Sequence, residues 1–175
     1  MVVESVNLSF GLAAIGMQIA LVVFLAVYFL QSRYSFARDI ADSISRSGLW
    51  IGLVLSGAGM ALAAYYSGVL GFEPCPLCWW QRIFLFPQVV LFALALWKRD
   101  RGIAYYSIVL SIIGGAIALY HHALQIFGEG TLPCPATGVS CAQRIIFEFG
   151  YVTFPLMAAS LFAFIIVLML FVRRK

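Results

Sequence analysis

Four cysteines in two close pairs are the residues of this chain best suited to chemistry: Cys75-Pro76-Leu77-Cys78, and Cys134 with Cys141 after six intervening residues. Two thiols separated by two residues form a spacing typical of redox centres, where a thiol pKa can be strongly depressed. Attack on a disulfide needs a thiolate, so a lowered pKa favours exchange over inert bridging. If Cys78 opens a helix, its thiolate gains from the free backbone N–H groups and the dipole at that end. Arg82, four residues on, would add positive charge one turn deeper on about the same face. The second pair falls in a loop of roughly 20 residues, from about Gly128 to Glu148, whose Gly128, Gly130, Pro133, Pro135 and Gly138 predict a mobile, exposed segment. A mobile disulfide suits a donor that presents one sulfur to a partner protein and the other to a second pair.

Plainer readings compete with each of these. Both pairs could be structural disulfides that hold loops. The four thiols could bind zinc, although six residues between the second pair exceed the usual two to four, and no metal is expected. Arg82 could be an interfacial anchor or a contact for lipid phosphate. His121 and His122, with Gln125 one turn further, could be ordinary hydrogen-bonding residues between helices. The sharper alternative is that one histidine and Arg82 meet a single polar ligand, such as a quinone carbonyl. Adjacent histidines project about 100° apart on a helix, so only one of the two would face it.

The elements that must position these groups are membrane helices. The chain has 175 residues, 63% apolar and 10% charged, against about half and about a quarter in soluble domains. Five spans are expected, roughly at 8–31, 49–71, 78–97, 103–127 and 150–172. The first lacks a basic leader, with only Glu4 charged before it, and reads as an uncleaved anchor rather than a signal peptide. Residues 32–47, with Arg33, Arg38, Asp39, Asp42 and Arg46, read as a short surface linker or interfacial helix. The third span's uncharged run, Ile83 to Trp97, is too short to cross about 30 Å alone, so that helix is expected to begin near Cys78. Pro87 and Gln88 within it read as ordinary membrane-helix irregularity.

Orientation follows from the basic residues. Arg33, Arg38, Arg46, Lys98, Arg99, Arg101, Arg173, Arg174 and Lys175 fall on one side of a five-span chain, leaving Arg82 and Arg144 of the eleven on the other. The first side is therefore expected to be cytoplasmic, with the N-terminus and both cysteine segments outside. Trp50, Trp97, Tyr105 and Tyr106 at inner ends, with Trp79, Trp80 and Tyr120 at outer ends, fit that orientation. Outside a cell membrane thiols tend to oxidise. The net charge of +4 is explained by topology, because the basic residues lie between spans rather than on one face; no nucleic-acid partner is expected.

Taken together, Pro74-Cys75-Pro76-Leu77-Cys78-Trp79-Trp80-Gln81-Arg82, the basic turn Lys98–Gly102, Tyr120-His121-His122-Ala123-Leu124-Gln125, the second cysteine loop and Gly150-Tyr151-Val152-Thr153-Phe154-Pro155 resemble the DsbB family of disulfide bond formation proteins. The resemblance covers roughly residues 48–172, so residues 1–47 would be an extra helix and basic linker ahead of a 48–175 domain. It implies an all-α, four-helix transmembrane bundle that reoxidises an extracytoplasmic thioredoxin-like (DsbA-like) oxidase and passes electrons to a membrane quinone, ubiquinone or menaquinone. It implies that Cys134 accepts the partner thiolate and that released Cys141 attacks Cys75. Cys78 then faces the quinone beside Arg82 and His121, with His122 as the one-residue alternative. The six-residue spacing of the second pair is closer to the compact Gram-positive type than to the long-loop proteobacterial one. Two rivals are a structural membrane protein with stapled outer loops and a quinone reductase of the vitamin K epoxide reductase type. The order of the cysteine pairs disfavours the latter.

Overall fold

Among the described residues, each of five α-helices is long and apolar enough to cross a membrane: α1 (Val2–Leu30), α2 (Ser35–Gly68), α3 (Pro76–Lys98), α4 (Ile103–Phe127) and α5 (Phe154–Arg173). The computed structural model describes residues 2–128, 133–134 and 139–174, with side chains from Asn7 onward. The all-α, polytopic class expected from composition is what the chain adopts. Gly130, Pro135 and Gly138, which contributed to the expectation of a mobile loop, lie outside the described residues, as do Glu129 and Lys175.

Local chemistry sets the helix ends. Cys75 caps α3, with Pro76 at the first helical position, where its missing N–H costs nothing. The helix stops at Lys98 because Arg99 turns left-handed at φ 55°. Thr153 caps α5 by accepting the Leu156 N–H at 3.3 Å, ahead of Pro155 in the first turn. Residues 150–153, expected as the start of the last span, instead complete an antiparallel hairpin between β1 (Phe147–Glu148) and β2 (Val152–Thr153). Its turn uses positive φ at Phe149 and Gly150.

The polar stretch 32–47 also departs from a separate linker. From Ser35 it is helical and continuous with the second span. The cause is a stripe at helical spacing, Ala37, Ala41, Ile44, Ser45, Gly48, Leu49 and Gly52, which is buried along one face while Arg38, Asp39 and Arg46 stay exposed.

α5 is the central helix. Phe162, Ile165, Leu168, Met169 and Val172 on it have no exposed surface. Lipid tails are as apolar as these side chains, so helices here associate through close packing and hydrogen bonds rather than water exclusion. Gly114 of α4 shows the packing: a Cβ there would lie 2.5 Å from the Phe162 ring. Gln88 of α3 shows the hydrogen bonding. Its Oε1 accepts from Ser107 at 2.7 Å and its Nε2 donates to Ser111 at 3.1 Å and to the Phe84 carbonyl at 3.1 Å. The residue expected to be incidental is a fully buried clamp between α3 and α4.

Candidate redox site

The cap of α3 builds the first half of the site. Cys75 Sγ accepts the backbone N–H of Cys78 at 3.4 Å, so the helix N-terminus serves Cys75. This corrects the expectation that Cys78 opens the helix and takes that benefit. Cys78 sits three residues in, and its Sγ lies 2.9 Å from that of Cys75, well beyond the ~2.05 Å of a disulfide bond. Both are free thiols, Cys75 buried and Cys78 partly exposed. The hydrogen bond from the Cys78 thiol, with a second from His121, holds the Cys75 thiol below its usual range, against burial, which pushes it up.

His121 of α4 is the junction residue. Its Nε2 lies 3.0 Å from the Cys141 carbonyl and 3.6 Å from Cys75 Sγ, and its Nδ1 lies 2.9 Å from Gln81 Nε2. A carbonyl only accepts, so Nε2 carries the proton, and the Gln81 amide donates to Nδ1. The network therefore assigns a neutral imidazole whose N–H points at the sulfur of one cysteine pair and the backbone of the other. His122 faces elsewhere and pairs with Thr153 Oγ1 at 2.7 Å. Arg82 meets the acceptor that an arginine at this depth requires: its Nη2 donates to the Ala63 carbonyl of α2 at 2.8 Å, with the guanidinium 5.2 Å from the Trp79 ring centre.

Cys134 and Cys141 are disulfide-bonded, and described residues around them contact the helices. Cys141 is 1% exposed and packs in one cluster with Cys75, Leu77 and Leu124, with Cys78 and Cys134 at its edge. Gln125 Nε2 donates to the Gln143 carbonyl at 2.9 Å, Arg144 Nε to the Gln125 carbonyl at 2.8 Å, and Tyr120 OH to the Pro133 carbonyl at 2.5 Å. The described part of the expected exposed loop is exposed at Pro133, Ser140, Gln143 and Arg144, while Cys141 and Ile146 are buried and its backbone is tied to α4. The polar end of α4 supplies donors at helical spacing, and they hold the loop backbone down. Gln81, Tyr120 and Gln125 were not singled out as site residues. The available signal was spacing: Gln81 follows Cys78 by three residues, and Gln125 follows His121 by four, which places each on its neighbour's face.

Cys75, Cys78, Arg82, His121 and Gln125 line one cavity of about 560 Å³, a size that takes a small organic molecule. Beyond this polar end its walls are apolar, among them Leu55, Leu62, Met157 and Leu161. Among the described residues, Gln125 Oε1 is buried there without a hydrogen bond, an acceptor that a ligand hydroxyl would satisfy. His122 does not line the cavity. The two sulfurs and a His121 ring nitrogen lie within 4.8 Å of one another, a donor set that would also suit a soft metal ion once the thiols are deprotonated.

Comparison with known proteins gives this arrangement a context. The family described as "Disulfide bond formation protein DsbB" matches residues 45–172. The SPbeta prophage-derived disulfide bond formation protein B of Bacillus subtilis is 38% identical over 111 residues, 63% of this chain and 75% of that protein. A probable disulfide formation protein C of Halalkalibacterium halodurans is 36% identical over 129 residues, covering 73% and 92%. A probable disulfide formation protein of Metapseudomonas resinovorans is 41% identical over 119 residues, covering 65% and 81%. No solved structure matches.

Proposed function

The chain belongs to the DsbB family of disulfide bond formation proteins, and from that membership we propose that it oxidises the dithiol of an extracytoplasmic thioredoxin-like partner and passes the two electrons to a membrane quinone. The observation that carries the reading is the cavity itself: two thiols of a CxxC pair, a guanidinium and an imidazole at one end, and an apolar body beyond. When bound, a quinone supplies a two-electron, two-proton acceptor.

The chain's own residues do the rest. A partner thiolate attacks Cys134, the more accessible sulfur of the bonded pair, and Cys141 leaves as a thiolate. The partner's second thiolate resolves the mixed disulfide, leaving the partner oxidised and Cys134 and Cys141 reduced. Cys141, packed in the same cluster as Cys75, then attacks Cys75 of an oxidised Cys75–Cys78 pair and releases Cys78 as a thiolate. Cys134 attacks Cys141, restores the outer disulfide and frees Cys75. Cys78 stands toward the cavity, Arg82 offsets negative charge there, and His121 orients the Cys75 sulfur. The net change is partner dithiol plus quinone to partner disulfide plus quinol. Both cysteine pairs lie on the extracytoplasmic side of a cell membrane in this reading, with the basic turns and C-terminus in the cytoplasm.

The test is oxidation of a reduced thioredoxin-like protein by the purified protein in detergent, with and without ubiquinone or menaquinone. The proposal expects turnover only with quinone, with one quinol formed per partner disulfide. Persistent, unreactive disulfides would support a structural protein instead.

A further inference from the structure

Helix α1 lies outside the residues that match the family, yet it forms part of the same cavity. Ala13, Gly16, Met17 and Ala20 recur at helical spacing and line it, on a helix packed against α5 and α2. Gly16 faces open space, with nothing within 4 Å of where a Cβ would sit.

The outer half of α1 is fixed to the rest of the molecule by polar contacts that a passive anchor would not need. Tyr66 of α2 donates to Asn7 Oδ1 at 2.5 Å, and Asn7 Nδ2 donates to the Ile145 carbonyl at 3.3 Å. Gln18 Nε2 donates to Ser160 of α5 at 3.1 Å, and Tyr151 donates to Gln18 Oε1 at 3.1 Å. Between them, Gly11 lies against the hairpin, where a Cβ would come within 3.1 Å of Glu148 Cβ. Polar side chains in a membrane helix are costly unless paired, and these pairs fix the rotation of α1. The face they hold inward carries Gly11 and Ala14, both buried, while Ala13, Gly16 and Ala20 lie to the side of it, where they border the cavity.

We propose that α1 is the side wall of the cavity's apolar body and that its Ala13–Gly16–Ala20 face seats the isoprenoid tail of the quinone. This deepens the proposed function and rests on its quinone reading. The headgroup end is made by α3 and α4, within the family-matched residues. Tail recognition is what the extra helix adds, so headgroup and tail affinity can be varied separately.

The experiment is quinone binding to the full chain in detergent, read by quenching of tryptophan fluorescence, for a long-tailed ubiquinone and for its tail-less headgroup. Gly16→Phe fills the open space; Ala13→Phe, one turn away on the same face, is a second variant. Gly57→Phe on α2 is the control, since Gly57 also faces open space but does not line the cavity. Displacing roughly two methylenes of tail contact is worth about tenfold in Kd. The expected result is about tenfold weaker binding of the tailed quinone to Gly16→Phe and Ala13→Phe. Tail-less binding and both affinities of Gly57→Phe stay within about twofold. Equal weakening of both quinones, no weakening of either, or the same effect from Gly57→Phe overturns the inference alone. A wild type that binds neither quinone overturns the quinone reading, and the inference with it.

Discussion

The two cysteine pairs differ less in place than in how their sulfurs are held. Cys75 and Cys78 are free thiols fixed by a helix cap, three residues apart on rigid backbone, with both sulfurs at the mouth of one cavity. Cys134 and Cys141 are bonded to each other across a loop, one partly exposed and the other almost wholly buried against Cys75. The asymmetry within the second pair matters as much as the contrast between pairs. A disulfide with one accessible and one buried sulfur meets a soluble attacker at the accessible atom. It delivers its leaving thiolate inside the protein. His121 sits where the pairs touch, with one N–H toward the Cys141 carbonyl and the Cys75 sulfur.

The comparison breaks most completely if the pairs are interchangeable. Cys78→Ser is expected to stop quinol formation, a fall of about a thousandfold or more as for loss of a nucleophile. Cys134→Ser stops partner oxidation to the same extent yet leaves a reduced Cys75/Cys78 pair that added quinone still oxidises. Separate assays of partner thiols and quinol distinguish the two. Arg82→Ala removes a cation from the cavity and its hydrogen bond to the Ala63 carbonyl, which keeps the Ser67 hydroxyl as a donor. A hydrogen bond to a charged group is worth ~1.5–3 kcal/mol, so kcat/KM for quinone should fall about 10–100-fold while single-turnover exchange with the partner is unchanged.

His121 and His122 sharpen the contrast through pH. The Cys75 thiol is held below its usual range, so its thiolate, and exchange that needs it, persists as pH falls beneath the ~8.5 of an ordinary thiol. It is lost only near the depressed value. His121→Ala should move that titration back upward, read by thiolate ultraviolet absorbance in a variant lacking Cys134 and Cys141. His122→Ala should leave it in place. Thr153→Ala has the smallest expected effect. Losing the α5 cap costs about 1 kcal/mol, visible as a lowered unfolding temperature in detergent with exchange rates unchanged.

The helices were legible because hydropathy and length are local properties; the fourth span, at 103–127, needed no adjustment. Boundaries failed where short-range chemistry overrode hydropathy. Cys75 and Pro76 started α3 ahead of Cys78, Thr153 delayed α5 behind a hairpin, and a buried small-residue stripe carried α2 through a charged segment. That Cys75, Cys78, Arg82 and His121 would be gathered in one place was legible from spacing and side-chain chemistry. Their supports were not, because Gln81, Tyr120, Gln125 and Asn7 act on partners 13 to 138 residues away in sequence. Gly and Pro content said that a loop lies there but not where its backbone goes, which in the described part follows from acceptors met by α4 donors.

The central claim is that the two pairs meet at Cys75 and Cys141, and a double variant tests it without any quinone or partner. Cys78→Ser with Cys134→Ser leaves one cysteine from each pair. Under mild oxidation in detergent, peptide mapping by mass spectrometry should find Cys75 and Cys141 joined in most molecules, and His121→Ala should slow that bond's formation. Free thiols at both positions, or cross-links only between molecules, would contradict it.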